Sequence, residues 1–280
     1  MSSTVLISGA NSGMGSATAL LLAENGYIVY AGARSSDGLA AIKSAAAERN
    51  LSIVPVPLDV QDDASVNAAV KTAVEQSGRL DALVNNAGYG LVASVEDGTD
   101  EEFIRQFDVN VFGVLRMIRA ALPVMRAARR GTIVNIGSFL GQIGLPLLTH
   151  YNASKYAVEG ITDSLRLELS PFGIRVHTVA PGLFRTSFVN KGLVANPRTT
   201  APDSPYAPLA GHLLPAVAQA INEGPDPIAV AQAVVQVLQN PDAPARTPVG
   251  AEATGADELK RTLPPAECEA AIRAQYGLQT

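Results

Sequence analysis

The sequence predicts one α/β domain: a doubly wound parallel sheet with helices on both faces, a three-layer sandwich. Three observations predict it. Up to about residue 180, short β-branched runs alternate with longer amphipathic stretches, the pattern of strand–helix–strand units whose right-handed crossovers cover both faces of a sheet. A glycine-rich turn, Ser8-Gly9-Ala10-Asn11-Ser12-Gly13-Met14-Gly15, directly follows the first of those runs. The chain has 280 residues, 47% hydrophobic and only 17% charged, which suits one large core and excludes a disordered chain.

The elements follow in order. Strands are expected at residues 4–8, 28–33, 52–57, 82–85, 132–136 and 175–179, where β-branched and apolar residues cluster. Helices are expected between them at 15–25, 62–77, 109–128 and 151–170, where apolar residues recur at helical spacing. Ser35, Ser36 and Asp37 suit the capped start of a further helix. Proline then changes the pattern: of 18 prolines, 13 fall from Pro181 to Pro265. Because proline lacks the amide donor and breaks helix interiors, residues 183–215 are expected to be a long irregular segment, a substrate lid over the binding face. Beyond it, a C-terminal extension over 226–280 begins with helical spacing at 226–239, and 246–250 offers a seventh strand.

Composition excludes several function classes. A net charge of −5 argues against a general nucleic-acid or anionic-membrane binder, which needs a basic patch. One cysteine, Cys268, allows no internal disulfide, and with three histidines it leaves little for a zinc site, so no metal is expected. The first apolar run lacks a basic lead and stops at Gly9, so it reads as a strand and not a secretion signal. Later apolar runs are cut by charges such as Arg116 and Arg119, so no membrane span is expected. These readings point to a cytoplasmic protein.

The glycine turn carries the first chemical signal. Its glycines let the backbone turn tightly and approach a pyrophosphate, which the unpaired amides of the following helix can bind. A plain glycine-rich turn is the alternative. Tyr151 and Lys155, at i and i+4 on one predicted helix, carry the second. A free phenol titrates near 10, and an ammonium about 5 Å away at an effective dielectric of roughly 20 favours phenolate by about 3 kcal/mol, about two pKa units. That would bring the phenol towards a working range for proton exchange. The alternative is a tyrosine packed on a lysine stem. Ser138 follows the fifth strand, where a ligand of such a sheet lies; a turn serine is the alternative. His150, one residue before the tyrosine, and His177, in a strand, read as structural, as do Asp163 and Glu168 on the helix surface.

The glycine spacing at 9, 13 and 15 resembles the T-G-x-x-x-G-x-G fingerprint of the short-chain dehydrogenase/reductase family, with Ser8 for the threonine. Further motifs match in the family's order: Asn85-Asn86-Ala87-Gly88, Asn110 in Val-Asn-Val, Ser138, Tyr151-Asn152-Ala153-Ser154-Lys155 and Pro181-Gly182. The similarity spans about residues 4 to 190, its length suits the compact branch of the family, and its strand and tail patterns look most like hydroxysteroid and retinol dehydrogenases. It implies a Rossmann-type sandwich and a hydride-transferring oxidoreductase whose catalytic residues are Asn110, Ser138, Tyr151 and Lys155. By the same resemblance Ser138 holds the substrate oxygen, Tyr151 exchanges the proton, Lys155 binds ribose and holds the phenol's pKa down, and Asn110 kinks its helix and links Lys155 to solvent through a water. Cofactor contacts are implied at Gly9, Asn11, Ser12, Gly13, Met14, Gly15, Asn86, Ala87, Gly88, Pro181 and Gly182, with Asp59 and Val60 at the adenine and Thr186 at the carboxamide.

Arg34, directly after the second strand, matches the geometry of a ribose 2′-phosphate and favours NADP(H) over NAD(H). In the competing reading Arg34 is solvated and Asp37 grips the ribose of NAD. Apolar residues around Tyr89, Phe139, Leu145 and Phe184 suggest a hydrophobic ketone or aldehyde and its alcohol as substrate pair. Surplus apolar surface on helices 109–128 and 151–170 suggests a homodimer or homotetramer. A non-catalytic NADP(H)-binding sensor or scaffold is the alternative; it is disfavoured because Ser138, Tyr151 and Lys155 are all present.

Overall fold

Alternating side-chain direction along the buried strands gives the sheet one apolar layer on each face. In β1 (Thr4–Ile7), Val5 and Ile7 face one layer and Leu6 the other. The structure is a computed structural model and describes residues 2–278. After β1 come α1 (Gly13–Glu24), β2 (Ile28–Ala33), α2 (Ser36–Glu48), β3 (Ile53–Pro57), α3 (Asp63–Ser77) and β4 (Ala82–Asn85). Then follow β5 (Gly90–Val92), α4 (Asp100–Phe107), α5 (Gly113–Ala128), β6 (Gly131–Ile136), α6 (Thr149–Leu169) and β7 (Ile174–Pro181). The chain continues through β8 (Leu193–Ala195), α7 (Ala207–Asn222), α8 (Ile228–Gln239), β9 (Arg246–Val249), α9 (Ala251–Thr262) and α10 (Pro265–Gln275).

Seven strands form one parallel sheet in the order β3-β2-β1-β4-β6-β7-β9, the doubly wound α/β architecture expected from the sequence. One face is covered by α3, α5 and α6, with Val66, Met117, Ile118 and Val158 buried against Leu6 and Ile133. The other carries α1, α2 and α8, with Leu22, Ile42, Val230 and Val234 against Val5 and Val134. Between the strands, Asn85 Nδ2 donates to Asn135 Oδ1 at 2.8 Å and Asn135 Nδ2 donates to Thr162 Oγ1 at 2.9 Å, a polar chain through otherwise apolar layers. The strand order reverses between β1 and β4, so a crevice opens there at the strand carboxyl ends.

Several features differ from the sequence-based expectations. Residues 183–215 are not irregular throughout: a π-helical turn covers Phe188–Gly192, β8 pairs with β5, and α7 begins at Ala207. Pro208 is tolerated in the first turn of α7, while Pro215 lies inside it; buried Ala210, Leu213 and Ile221 offset the hydrogen bond that Pro215 removes. Helix 109–128 is preceded by a wide π-helical turn at Asp108–Phe112, so α5 proper starts at Gly113. Finally, α4 was not anticipated, although a reciprocal cap starts it: Glu102 N–H donates to Thr99 Oγ1 at 3.2 Å and Thr99 N–H donates to Glu102 Oε2 at 3.0 Å. The C-terminal segment is built into the domain, since β9 extends the sheet and Ala253 and Ala256 of α9 pack on Phe139 and Leu140.

Candidate active site

At the switch point two backbone turns pack almost in contact. Gly9 adopts φ +65°, and a β-carbon on it would lie 2.9 Å from the Cα of Ala87. One on Gly15 would lie 2.3 Å from the Gly9 carbonyl oxygen and 2.4 Å from Asn86 Nδ2. Hydrogen bonds hold this approach: Ser8 Oγ accepts the N–H groups of Asn86 and Ala87, both at 3.1 Å, while Asn86 Nδ2 donates to the carbonyls of Ser8 at 3.1 Å and Gly9 at 2.8 Å. Ser8 therefore uses the hydroxyl that it shares with threonine. Ser12 caps α1 without a side-chain bond, which leaves the first-turn amides directed at the crevice.

A cleft of about 490 Å³ lies over these turns. Its wall contains Gly9, Asn11, Ser12, Gly13, Met14, Gly15, Arg34, Asp59, Val60, Asn86, Ala87, Gly88, Ser138, Tyr151, Lys155, Pro181, Gly182 and Thr186. Arg34 is exposed and has no hydrogen bond or ion pair with another described residue. Asp37 is in the first turn of α2 and outside the cleft wall, and Ser35 caps that helix by accepting the Gly38 N–H at 3.1 Å. Thr186 sits over the glycine turn, 3.3 Å from where a Gly13 β-carbon would be.

The chemistry-bearing side chains converge at one end. Ser138, the residue after β6 and Gly137, accepts the Leu140 N–H at 3.1 Å, and its side chain lies beside the Tyr151 phenol. One turn along α6, Lys155 Nζ lies 5.7 Å from the centre of the Tyr151 ring and donates to the Ile136 carbonyl at 2.9 Å. Burial pushes the Tyr151 phenol up to about 12, opposed by the Ser138 side chain, and pushes Lys155 down to about 8, opposed by Glu159. This differs from the sequence-based picture of a phenol held down by its lysine. Enclosure penalises phenolate and ammonium alike, so the resting phenol is neutral and able to donate a proton.

Among the expected catalytic and cofactor residues, only Asn110 lies outside the cleft wall; of the apolar residues expected at the substrate, Leu145 does not line it and faces a separate hollow with Ile143 and Pro146. Asn110 sits in the π-helical turn behind Gly88, where its Nδ2 donates to the Tyr89 carbonyl at 2.9 Å and Ser154 Oγ at 3.1 Å and its Oδ1 accepts the Tyr89 N–H at 3.1 Å. His150 packs its ring edge on Phe103 at 5.3 Å, and His177 Nδ1 lies 2.8 Å from the Pro244 carbonyl; neither lines the cleft. Sequence reasoning did not find Arg105 of α4, 5.9 Å from the Tyr89 ring centre at the rim, nor Val217 and Ile221 of α7. Nor did it find Glu252, whose Oε2 accepts the Leu183 N–H at 3.2 Å beside Gly182. No local motif marks these residues, which reach the site only through tertiary packing.

The glycine turn, the uncapped helix start and the length of the cleft from Arg34 to Tyr151 fit a dinucleotide. No helix among the described residues is long and apolar enough to cross a membrane.

Comparison with known proteins agrees with this geometry. A family model described as short chain dehydrogenase matches residues 3–195. A 3-ketodihydrosphingosine reductase of Bacteroides thetaiotaomicron is 37% identical over 247 residues, 88% of this chain and 87% of the relative. A short-chain dehydrogenase of Streptomyces avermitilis superimposes with a TM-score of 0.81 at 31% identity, covering 100% of this chain and 99% of that one. A variant of actinorhodin polyketide ketoreductase, solved with NADPH, gives 0.75 at 28% identity, covering 88% and 94%. The Bacteroides and actinorhodin relatives are ketoreductases by name, whereas the strand and tail patterns suggested hydroxysteroid and retinol dehydrogenases.

Proposed function

The chain belongs to the short-chain dehydrogenase/reductase family, and on that premise we propose an NADP(H)-dependent oxidoreductase that interconverts a hydrophobic ketone or aldehyde and its alcohol. The convergence of Ser138, Tyr151 and Lys155 at one end of the dinucleotide-shaped cleft carries this reading. Ser138 orients the substrate oxygen, and Tyr151 Oη gives it a proton. The Lys155 ammonium then faces the phenolate so formed, which makes the proton transfer less costly in a buried site. When bound, the nicotinamide supplies the hydride that completes the reduction. Gly9, Gly13, Gly15, Asn11, Ser12 and Met14 would hold the pyrophosphate side, Asp59 and Val60 the adenine, and Asn86, Ala87, Gly88, Pro181, Gly182 and Thr186 the nicotinamide half. Asn110 acts through the backbone of Tyr89 and through Ser154. Leu140, Leu148, Leu183, Phe188 and Leu193 give the substrate end an apolar wall, in keeping with the 3-ketodihydrosphingosine in the name of the Bacteroides relative.

Two further features belong to this reading. We propose that the segment after Pro181 closes over substrate, with its moving part at residues 186–192, because Phe184 is buried in the core, the Arg185 N–H donates to the Pro225 carbonyl at 3.0 Å and the following stretch is anchored. There β8 pairs with β5, Thr199 Oγ1 donates to Asp97 Oδ2 at 2.9 Å and Asn196 Nδ2 donates to Glu102 Oε2 at 2.8 Å. Leu167 at 80% exposed, Ile104 at 62%, Phe112 at 49% and Tyr156 at 41% leave the surfaces of α4 to α6 apolar, which supports a homodimer or homotetramer through them.

Tyr151→Phe is expected to keep fold and NADPH affinity while lowering ketone turnover at least about a hundredfold. Steady-state kinetics and fluorescence titration read both quantities, and near wild-type turnover would leave only a dinucleotide sensor. Arg34→Ala should weaken NADPH far more than NADH by loss of a charge-assisted contact worth about 1.5–3 kcal/mol. Equal losses would overturn the NADP assignment. Amide exchange should show protection at 186–192 rising on ternary-complex formation while 193–200 changes little; equal protection in both states removes the lid. Light scattering should give a multiple of the 29.1 kDa chain mass. A single-chain particle at micromolar concentration would remove the oligomer.

A further inference from the structure

Behind the Ser138–Tyr151–Lys155 end lies a second set of charges that the proton transfer does not use. Glu159 is one turn beyond Lys155 on α6, and its Oε1 accepts the Arg246 Nε–H at 3.2 Å, with the two side chains only 12% and 14% exposed. Arg246 stands at the start of β9, where its Nη1 donates to Asp257 Oδ1 of α9 and its Nη2 approaches the Ser138 carbonyl at 3.5 Å. The Glu159 side chain is wedged against both ends of the serine turn. A β-carbon on Gly137 would lie 2.9 Å from Glu159 Oε1, and one on Gly141 would lie 3.1 Å from Glu159 Cγ. The turn that presents Ser138 is therefore moulded around this carboxylate.

We propose that Glu159, pinned by Arg246, is a positioning residue: it fixes the turn carrying Ser138 and places a carboxylate one helical turn from Lys155 on α6. This inference rests on the oxidoreductase reading above. The charged and titratable groups around Lys155 are few. Tyr151 and Glu159 share its helix, β6 offers the Ile136 carbonyl, β9 supplies Arg246, α9 supplies Asp257, and Asp163 lies one turn further along α6. Of these, Glu159 is the negative charge that raises Lys155 against the burial that lowers it to about 8. Burial also pushes the Glu159 carboxyl up, and Arg246 opposes that shift. A buried ion pair of this kind can often be replaced by apolar residues without loss of stability, so stability alone does not account for it.

The test is the pH profile of ketone reduction together with NADPH affinity and melting temperature. In the wild type, reductive kcat/KM should fall as pH rises through about 8, where Lys155 loses its proton. Glu159→Gln should move this alkaline limb to lower pH and reduce kcat about tenfold, whereas Arg246→Met, which removes a neighbouring cation and leaves the carboxylate, should reduce kcat without moving the limb to lower pH; NADPH affinity changes little in either. Arg246→Lys keeps the charge and should keep the limb. Should Glu159→Gln fail to fold, the paired Glu159→Met/Arg246→Met protein removes both charges at similar volume and should move the limb in the same direction by a smaller amount. A limb that stays at the wild-type pH in Glu159→Gln overturns the proposal, even where kcat falls. Tyr151→Phe separates the two readings: if it is inactive and the limb is unmoved, only the positioning role fails, whereas if it is active the oxidoreductase mechanism fails.

Discussion

The whole carboxyl edge of the sheet depends on one steric constraint, the contact between the backbone after β1 and the backbone after β4. With a separation of 2.3 to 2.9 Å between the places where Gly9 and Gly15 β-carbons would be and the atoms facing them, no side chain is tolerated at either position. The Ser8 hydroxyl and the Asn86 amide convert that close approach into four hydrogen bonds. Because the turns meet at the point where strand order reverses, the crevice above them and the start of α1 are placed together. The position of the cleft is thus a consequence of topology, and its backbone-lined floor is a consequence of missing β-carbons.

The opposite end of the cleft is ruled by desolvation. Tyr151 and Lys155 are enclosed, and each is driven towards its neutral form, the phenol to about 12 and the amine to about 8. These shifts have different consequences. A neutral phenol is ready to donate, so burial prepares Tyr151 for reduction of a carbonyl. A neutral amine is of no electrostatic help to a phenolate, so burial works against Lys155 unless a negative charge stands nearby. Glu159 is that charge, and its own burial is offset by Arg246. A site that excludes water to favour one proton transfer therefore needs a compensating ion pair in its supporting layer.

Most of this architecture was legible in the sequence where local rules act alone. The seven sheet strands and four of the principal helices stand within a few residues of their expected bounds, because alternation and helical spacing reflect burial directly. Site residues carried by motifs were legible too, since strand ends and helix spacing fix where Ser138, Tyr151 and Lys155 point. What was not legible came from tertiary compensation. Pro215 inside α7 contradicts a local rule that buried Leu213 and Ile221 override. The wide turn around Asn110 depends on partners at Tyr89 and Ser154, 21 and 44 residues away. The Tyr151 shift depends on how closely the fold encloses the pair, which i and i+4 spacing does not reveal.

The matched family region ends at residue 195, yet the site does not. Val217 and Ile221 of α7 close the cleft, Glu252 of α9 accepts the amide of Leu183, and Arg246 of β9 reaches both Glu159 and the carbonyl of Ser138. The N-terminal two thirds thus contain every group assigned a direct part in the proposed reaction and most of the apolar wall, and the C-terminal third adds Val217 and Ile221 to that wall and pairs Arg246 with Glu159. This division lets the substrate wall vary on α7 without disturbing the glycine turn. It does not extend to β9, because a change at Arg246 acts on Glu159 and so on the proton chemistry itself. Within one continuous C-terminal segment, α7 thus meets the cleft directly through Val217 and Ile221, whereas β9 reaches it only through the Glu159 carboxylate and the Ser138 carbonyl.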